Sequence, residues 1–301
     1  MTPAQMELLQ CPEHASPLAP GKDGRLAAAC GCAYPVKDGI PRILGTLDPA
    51  TRRTADGFQY QWERGVGGTA FDIVEEVREK GLFEDFLGRP DAWWAGKRVL
   101  DAGCGPGWFA RHVASKGAEV IAVDLTEGVD IGARRSPDGN PAFVQADLTR
   151  LPFRDGTFDY VYCYCVIQHT RDTRLALRNL VRVARPGGTV AVTHYGPIRV
   201  LKTVYDGLRP LTARLPLGLL YALCHVAVPL SHVPLLRHLC YPSCSPSHSR
   251  RRRVLDTFDW YHAGHQRYTT RPELEGWCRE VGLRDLEFGL RIGPTAVRGV
   301  K

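Results

Sequence analysis

VLDAGCGPGWF, Val99 to Phe109, is the stretch on which the fold turns. An apolar run ends at Asp101, Gly103, Gly105 and Gly107 follow at alternate positions, and a helical pattern starts near Trp108. Glycines in such a place let the chain turn sharply from strand to helix and let a ligand approach the backbone closely. Asp124 closes the next apolar run, AEVIAVD, where a carboxylate is placed to accept hydrogen bonds from both hydroxyls of a ribose. Working outward from Lys97 to Tyr195, the runs RVLDAG, AEVIAVD, PAFVQAD, FDYVYCYC and GTVAVTHY alternate with helical patterns. Such alternation predicts an α/β fold, a doubly wound and mostly parallel Rossmann-like sheet with helices on both faces. Further on, TRPE (Thr270–Glu273) has capping-box spacing and predicts a helix through Cys278, with LRDLEFGLRI as a strand after it.

Two cofactors fit a glycine loop followed by an acidic strand end. A nicotinamide dinucleotide wants G-x-G-x-x-G, because its pyrophosphate sits on the helix N-terminus. The sixth position here is Trp108, too bulky for that packing, and Asp101 opposes a pyrophosphate. An ammonium group would be welcome beside Asp101, and S-adenosylmethionine carries one without any phosphate. The residues therefore favour S-adenosylmethionine.

At this point the chain resembles the class I S-adenosylmethionine-dependent methyltransferases, over Lys97 to Tyr195. DAGCGPG resembles the first motif, with Asp101, Gly103, Gly105 and Gly107. VIAVDLT resembles the second, with Asp124 on the ribose and Leu125 beside it. VQADLTRLPF carries Asp147, which the resemblance places on the adenine amino group, with Leu148 adjacent. FDYVYCYCVIQHT resembles the fourth motif, whose strand end, including Cys163, faces the methyl group. RPGGTVAV, Arg185–Val192, resembles the turn before the fifth strand.

Methyl transfer to a hydroxyl or an amine needs a base as well as alignment. His169 in QHT is one candidate, and a structural cap for the next helix is the plainer reading. His194 follows the fifth strand and is a candidate for substrate contact. FDWYHAGHQRYTT offers Trp260, Tyr261 and His262 as substrate-binding residues, with Tyr261 and His265 as further catalytic candidates. Aromatics and imidazoles at this density suit a planar substrate; ordinary packing is the alternative. Cys163 and Cys165 read more readily as small core residues than as nucleophiles.

Ahead of this region, CPEH (Cys11–His14) and CGCAYPVKDGIPRIL (Cys30–Leu44) resemble the short zinc-ribbon-like N-terminus carried by some methyltransferases of this class. The tail of that pattern matches, and the ligands depart from it. His14 stands for the second cysteine, the third position falls on Ala27 when Tyr34 is aligned, and Cys32 is an extra thiol. Cys11, His14, Cys30 and Cys32 make a chemically sound Cys3His set for a structural zinc, although a C-x-C pair is cramped. A ribbon that has kept its fold and lost its metal is the other reading.

The expected domains are a zinc-ribbon-like module at 1–50, a helical connector or cofactor cap at 51–95, and a methyltransferase domain at 96–301 with a substrate-lid insert at about 196–265. The chain of 301 residues, 44% hydrophobic and 24% charged, has ample core material. Its ten cysteines are scattered and several lie in apolar runs, unlike a secreted disulfide framework. No signal-peptide pattern opens it, and the expected location is the cytoplasm. LPLGLLYALCHVAVPL, Leu215–Leu230, is shorter than the roughly 20 residues that span a bilayer and reads as a buried or lid helix, with membrane-surface contact the minority reading.

The function these features point to is methylation of a small, partly hydrophobic acceptor, such as a natural product or a quinone-like molecule. A charge of +7 and the run SRRRR (Ser249–Arg253) leave RNA methylation as an alternative, although no RNA-binding module is recognisable. A catalytically silent, cofactor-binding partner protein is a third possibility.

Overall fold

The computed structural model describes residues 1–21, 23–65, 77, 80–196, 202–230, 233, 249–290 and 295–301. These fall into two compact units. One comprises residues 1–46, 81–196 and 267–301, and the other residues 47–80 and 197–266. The segment read as a connector is thus shared between them.

The first unit is built on a sheet. Four short strands open it: β1 (Leu18–Pro20), β2 (Arg25–Ala28), β3 (Ala33–Lys37) and β4 (Ile40–Ile43), each antiparallel to the next. The central strands are β5 (Arg98–Ala102), β6 (Glu119–Asp124), β7 (Ala142–Ala146), β8 (Phe158–Cys163) and β9 (Ala184–Thr193), and β10 (Arg284–Phe288) and β11 (Ala296–Val300) complete the set. Their order is β1-β2-β3-β4-β7-β6-β5-β8-β9-β11-β10. Strands β7, β6, β5, β8 and β9 are mutually parallel, as the alternating pattern predicts. The strand β11, which carries no clear signal of its own, runs antiparallel between β9 and β10.

Strand β4 was expected to belong to a separate ribbon. Instead it pairs in parallel with β7, Arg42 opposite Gln145 and Ile43 opposite Ala146. The ribbon therefore extends the main sheet. Leu9, Leu18, Leu26 and Ile43 join the same buried cluster as Leu100, Ile121, Val144 and Val161. Because side chains alternate along a strand, these central residues share one sheet face. Besides the short helices α1 (Pro3–Met6) and α3 (Leu82–Leu87), this unit has α6 (Thr173–Val183) and α10 (Arg271–Glu280), which cover that face with Leu177, Leu180, Leu274 and Cys278. Thr270 caps α10 by accepting from the Glu273 amide, and Glu273 caps in return, the box foreseen from TRPE.

The second unit is helical. It contains α2 (Pro49–Gly65), α7 (Lys202–Thr212), α8 (Leu217–Leu230) and α9 (Arg250–His262). α8 reads from its sequence as a buried or lid helix. Leu220, Cys224 and Val228 are buried, and Leu219, Leu223, Val226 and Leu230 are exposed.

Candidate functional site

The loop after β5 leads into α4 (Trp108–Ala114) through three left-handed glycines, Gly103 (φ 91°), Gly105 (φ 50°) and Gly107 (φ 71°). At Gly103 a Cβ would lie 2.5 Å from Val166 Cγ2, and at Gly107 2.7 Å from the Phe143 ring. Glycine is thus required twice over, by conformation and by space. The Gly103 and Cys104 amides both donate to Val123 O, at 2.7 and 2.9 Å, so the loop is anchored to the end of β6.

Asp124 ends β6 and organises the same loop. Its Oδ2 accepts from the Gly105 amide (2.8 Å), and its Oδ1 accepts from the Thr126 amide (2.8 Å) and hydroxyl (2.7 Å). Burial raises its pKa in spite of these donors. Asp101, at the end of β5, is also buried. Burial pushes its carboxyl up to about 8, against the lowering effect of the Tyr162 hydroxyl and with the charge of Asp124 adding to the rise. Its Oδ2 has no hydrogen-bond partner among the described residues. An unpartnered carboxylate oxygen beside a glycine turn fits an incoming ammonium group, which would supply both the charge and the donor it lacks. Asp147 follows β7 and caps the short turn Leu148–Arg150 by accepting from the Thr149 amide (2.7 Å). The three carboxylates therefore lie at the carboxyl ends of three adjacent parallel strands, where open α/β sheets bind ligands.

Residues 100–192 match the sequence profile of the family described as "Methyltransferase domain". The segment is a class I methyltransferase domain. A demethylmenaquinone methyltransferase of Clavibacter sepedonicus is 36% identical over 116 residues, 37% of this chain and 47% of that protein. A malonyl-[acyl-carrier protein] O-methyltransferase of Erwinia billingiae is 40% identical over 95 residues, 32% of this chain and 38% of that protein. The chain thus spans about half or less of the length of these curated relatives. A solved S-adenosylmethionine-dependent methyltransferase of Mesorhizobium loti superposes with a TM-score of 0.46 at 18% identity, covering 73% of this chain and 97% of that one.

Within the methyltransferase domain, Leu125 is half-buried and Leu148 is buried in the core. Cys163 is the small core residue its strand suggested, and departs from the cofactor-facing position the resemblance implied. Its thiol is fully buried in the hydrophobic cluster and has no surface to offer a ligand. Cys165, read as a core residue, is exposed and adopts a left-handed φ of 58°, with its amide donating to Thr193 Oγ1 (2.6 Å). His169 is buried in the turn Ile167–His169, edge-on to Tyr195, and its amide donates to Val166 O (2.8 Å). His194 is buried 6.1 Å from the Trp277 ring of α10, its Nδ1 3.1 Å from Tyr195 O, and burial lowers its pKa.

The aromatic group of the second unit is packing rather than a substrate surface. Trp260, Tyr261 and His262 are all buried. His262 lies between Phe58 and Phe258, at 4.8 and 4.9 Å, and fills the space that a side chain at Gly57 would need. His265 is partly exposed and sits 3.2 Å from Thr51 Oγ1 and 3.6 Å from Asp48 Oδ1, at the start of α2.

One functional feature left no signal in the sequence. Arg42 of β4 donates from Nη1 to Asp130 Oδ2 (2.9 Å) and from Nη2 to Oδ1 (2.5 Å), on α5 (Gly128–Arg134). Nη1 also reaches Gln145 Oε1 (3.3 Å), and Gln145 Nε2 donates to Leu125 O (3.0 Å). The ribbon is thereby wired to the segment beside Asp124. It also touches the segment after Asp147: Gln10 donates to Pro152 O (2.9 Å), Arg154 to Leu8 O (3.2 Å), and Arg150 pairs with Glu13.

Cys11, His14, Cys30 and Cys32 come together, with all four ligand atoms within 4.8 Å of one another. The C-x-C pair is not too cramped, because Gly31 takes a φ of 87° between the two thiols. His14 Nδ1 lies 3.7 Å from Cys11 Sγ and 3.6 Å from Cys32 Sγ. Tetrahedral zinc with Zn–S of about 2.3 Å sets its ligands roughly 3.7 Å apart, so the set fits. Burial raises the Cys11 thiol, but the Tyr34 hydroxyl at 3.3 Å and local hydrogen bonds outweigh it and hold the thiol down at about 6. The neighbouring Cys30 and Cys11 thiols push Cys32 up to about 11, the mutual opposition that a dication would relieve.

Proposed function

We propose that the chain transfers a methyl group from S-adenosylmethionine to a small, partly hydrophobic acceptor. The observation that carries the reading is the carboxylate set at the ends of β5, β6 and β7, above all the buried, unpartnered Asp101 oxygen beside the glycine turn. When bound, the cofactor supplies an electrophilic methyl on a sulfonium. Asp101 would hold the ammonium of its amino acid head, Asp124 would offer the one free lone pair of Oδ2 to a ribose hydroxyl, and Asp147 would take the adenine amine. These residues would hold the methyl donor in line with the acceptor, and a base would take the proton that the acceptor gives up.

His169 is the base this reading favours. Its turn begins at Val166, whose side chain packs on Gly103, so His169 belongs to the structure that closes the cofactor loop. The relative named a demethylmenaquinone methyltransferase supports a small, partly hydrophobic acceptor; the other is named for a malonyl group on an acyl-carrier protein. Two of the four arginines in the run are drawn away from any RNA phosphate: Arg253 is buried and Arg252 faces Asp256 at 3.7 Å.

The Cys3His cluster is proposed to hold one structural zinc. Four protein ligands leave no open position, so its role would be to fix the ribbon.

The test uses cofactor with an isotope-labelled methyl group, incubated with the protein and a cell extract that is then split into small molecules, RNA and protein. Label in the small-molecule fraction supports the reading, and the labelled mass identifies the acceptor. Label confined to RNA replaces the proposed acceptor. No label with cofactor binding intact turns the chain into a silent binder. His169→Gln should cut transfer by about a hundredfold or more with cofactor affinity unchanged.

A further inference from the structure

α8 has 14 residues and no charge. Its inner face is occupied: Leu220, Cys224 and Val228 are buried, and Tyr221 meets Phe258 of α9 edge-on at 5.7 Å. Its outer face lacks the polar residues that a solvated helix carries there. Leu219, Leu223, Val226 and Leu230 are 49, 47, 57 and 39% exposed, and their spacing of four, three and four puts them in one stripe. The remaining exposed positions of the helix are Gly218, Ala222 and Pro229. A contiguous apolar face of this kind marks an interaction site.

The charges around the stripe say what it meets. Arg214 is exposed in the turn before α8. Exposed Arg250 donates to His225 O on α8 (3.4 Å), and exposed Arg251 donates to Arg64 O (2.5 Å). The Arg64 guanidinium lies 3.5 Å from the Tyr60 ring centre and 5.8 Å from that of Tyr221, so it too stands at the edge of α8. The described acidic side chains of this unit are engaged elsewhere. Asp48 serves Thr51, Asp56 faces Arg53, Glu63 accepts from Gln59, Asp256 faces Arg252 and Asp259 faces His262. A second copy of the chain would set one arginine rim near another. An anionic bilayer offers phosphates to the rim and acyl chains to the stripe. None of the described helices is long and apolar enough to cross a membrane, so this one would lie along the surface.

We propose that the outer face of α8 docks the protein on an anionic lipid surface. Leu219, Leu223, Val226 and Leu230 enter the headgroup–acyl boundary, and Arg64, Arg214, Arg250 and Arg251 take the lipid phosphates. This stands apart from the identity of the methyl acceptor.

The full chain is sedimented with vesicles of phosphatidylcholine alone or with about 30% phosphatidylglycerol, at low and high salt. Binding should favour the anionic vesicles and weaken with salt. The double variant Leu223→Gln/Val226→Gln, at exposed positions, should lower binding by about tenfold or more with an unchanged melting temperature. Arg250→Gln/Arg251→Gln should reduce the preference for anionic over neutral vesicles. Absence of wild-type binding, or binding unchanged in Leu223→Gln/Val226→Gln, overturns the proposal. So does a light-scattering dimer that this variant makes monomeric while vesicles capture neither form; the face would then join two copies.

Discussion

The Arg42–Asp130 pair gives the sharpest test of how the ribbon serves the methyltransferase domain. The side chains are 9% and 14% exposed, and two hydrogen bonds join them. Removing one partner of a buried, bidentate pair strands the other charge at a cost of about 3–5 kcal/mol. The residual exposure of Asp130 lets some water reach it, which sets the expectation for Arg42→Met near about 3 kcal/mol. Urea unfolding should show that loss as a lower midpoint with an unchanged slope. The variant Arg42→Met/Asp130→Leu removes both charges and should recover most of it, because an apolar replacement leaves nothing stranded. Arg42→Lys should fall between, retaining charge without the planar fork. Calorimetry supplies a second readout. Gln145 loses its support, and through it Leu125 O, so S-adenosylmethionine should bind Arg42→Met about five- to tenfold more weakly, the worth of one net hydrogen bond. A stability loss under about 1 kcal/mol, or an Asp130→Leu partner change that recovers nothing, would refute the reasoning.

Other outcomes follow from the same site. Asp101 must ionise to receive an ammonium, and its carboxyl stands at about 8, so cofactor affinity should rise with pH between about 6 and 8; Asp101→Asn should bind weakly and without that slope in calorimetric titrations. The same raised value means the folded form holds a proton that the unfolded chain has lost, so this group's contribution to stability falls as pH rises from about 4 to 8. Asp124→Ala should weaken cofactor binding by ten- to about a hundredfold, since it removes the ribose acceptor and the anchor of the Gly105 amide; unchanged affinity would sink the assignment. Gly103→Ala should lower both melting temperature and cofactor affinity, from a strained φ of 91° and the contact with Val166; a wild-type melting curve would speak against the loop geometry. Elemental analysis should find one zinc per chain, absent from Cys11→Ala/Cys32→Ala, and a chelator should lower the melting temperature of the wild-type chain only.

Much of the first unit was legible because its signals are local. Strand periodicity, the spaced glycines and the carboxylate after each strand are read within a few residues, and β5 to β9, the turn at Gly103–Gly107 and the capping box at Thr270 lie where those patterns put them. Composition could not separate a crowded pocket from a crowded core, and Trp260, Tyr261 and His262 belong to the latter. Nor could it tell which side of an all-apolar helix faces water, as in α8. The Arg42–Asp130 pair joins residues 88 apart, and no spacing rule reaches so far. Strand β4 was hidden for the same reason, since its partner is set by topology.

That partner also fixes an order of events during synthesis. Arg42 leaves the ribosome 103 residues before Gln145, so the early hairpins must wait, extended and unpaired on one side, for the strand they will flank. An exposed edge of that kind invites pairing with the wrong chain. A knuckle closed by Cys11, His14, Cys30 and Cys32 uses only residues already made, so it can hold β1 to β4 in register through the delay. On that view the ribbon is a template prepared in advance, and β10 and β11, made later than the central strands, complete the opposite end of the same sheet.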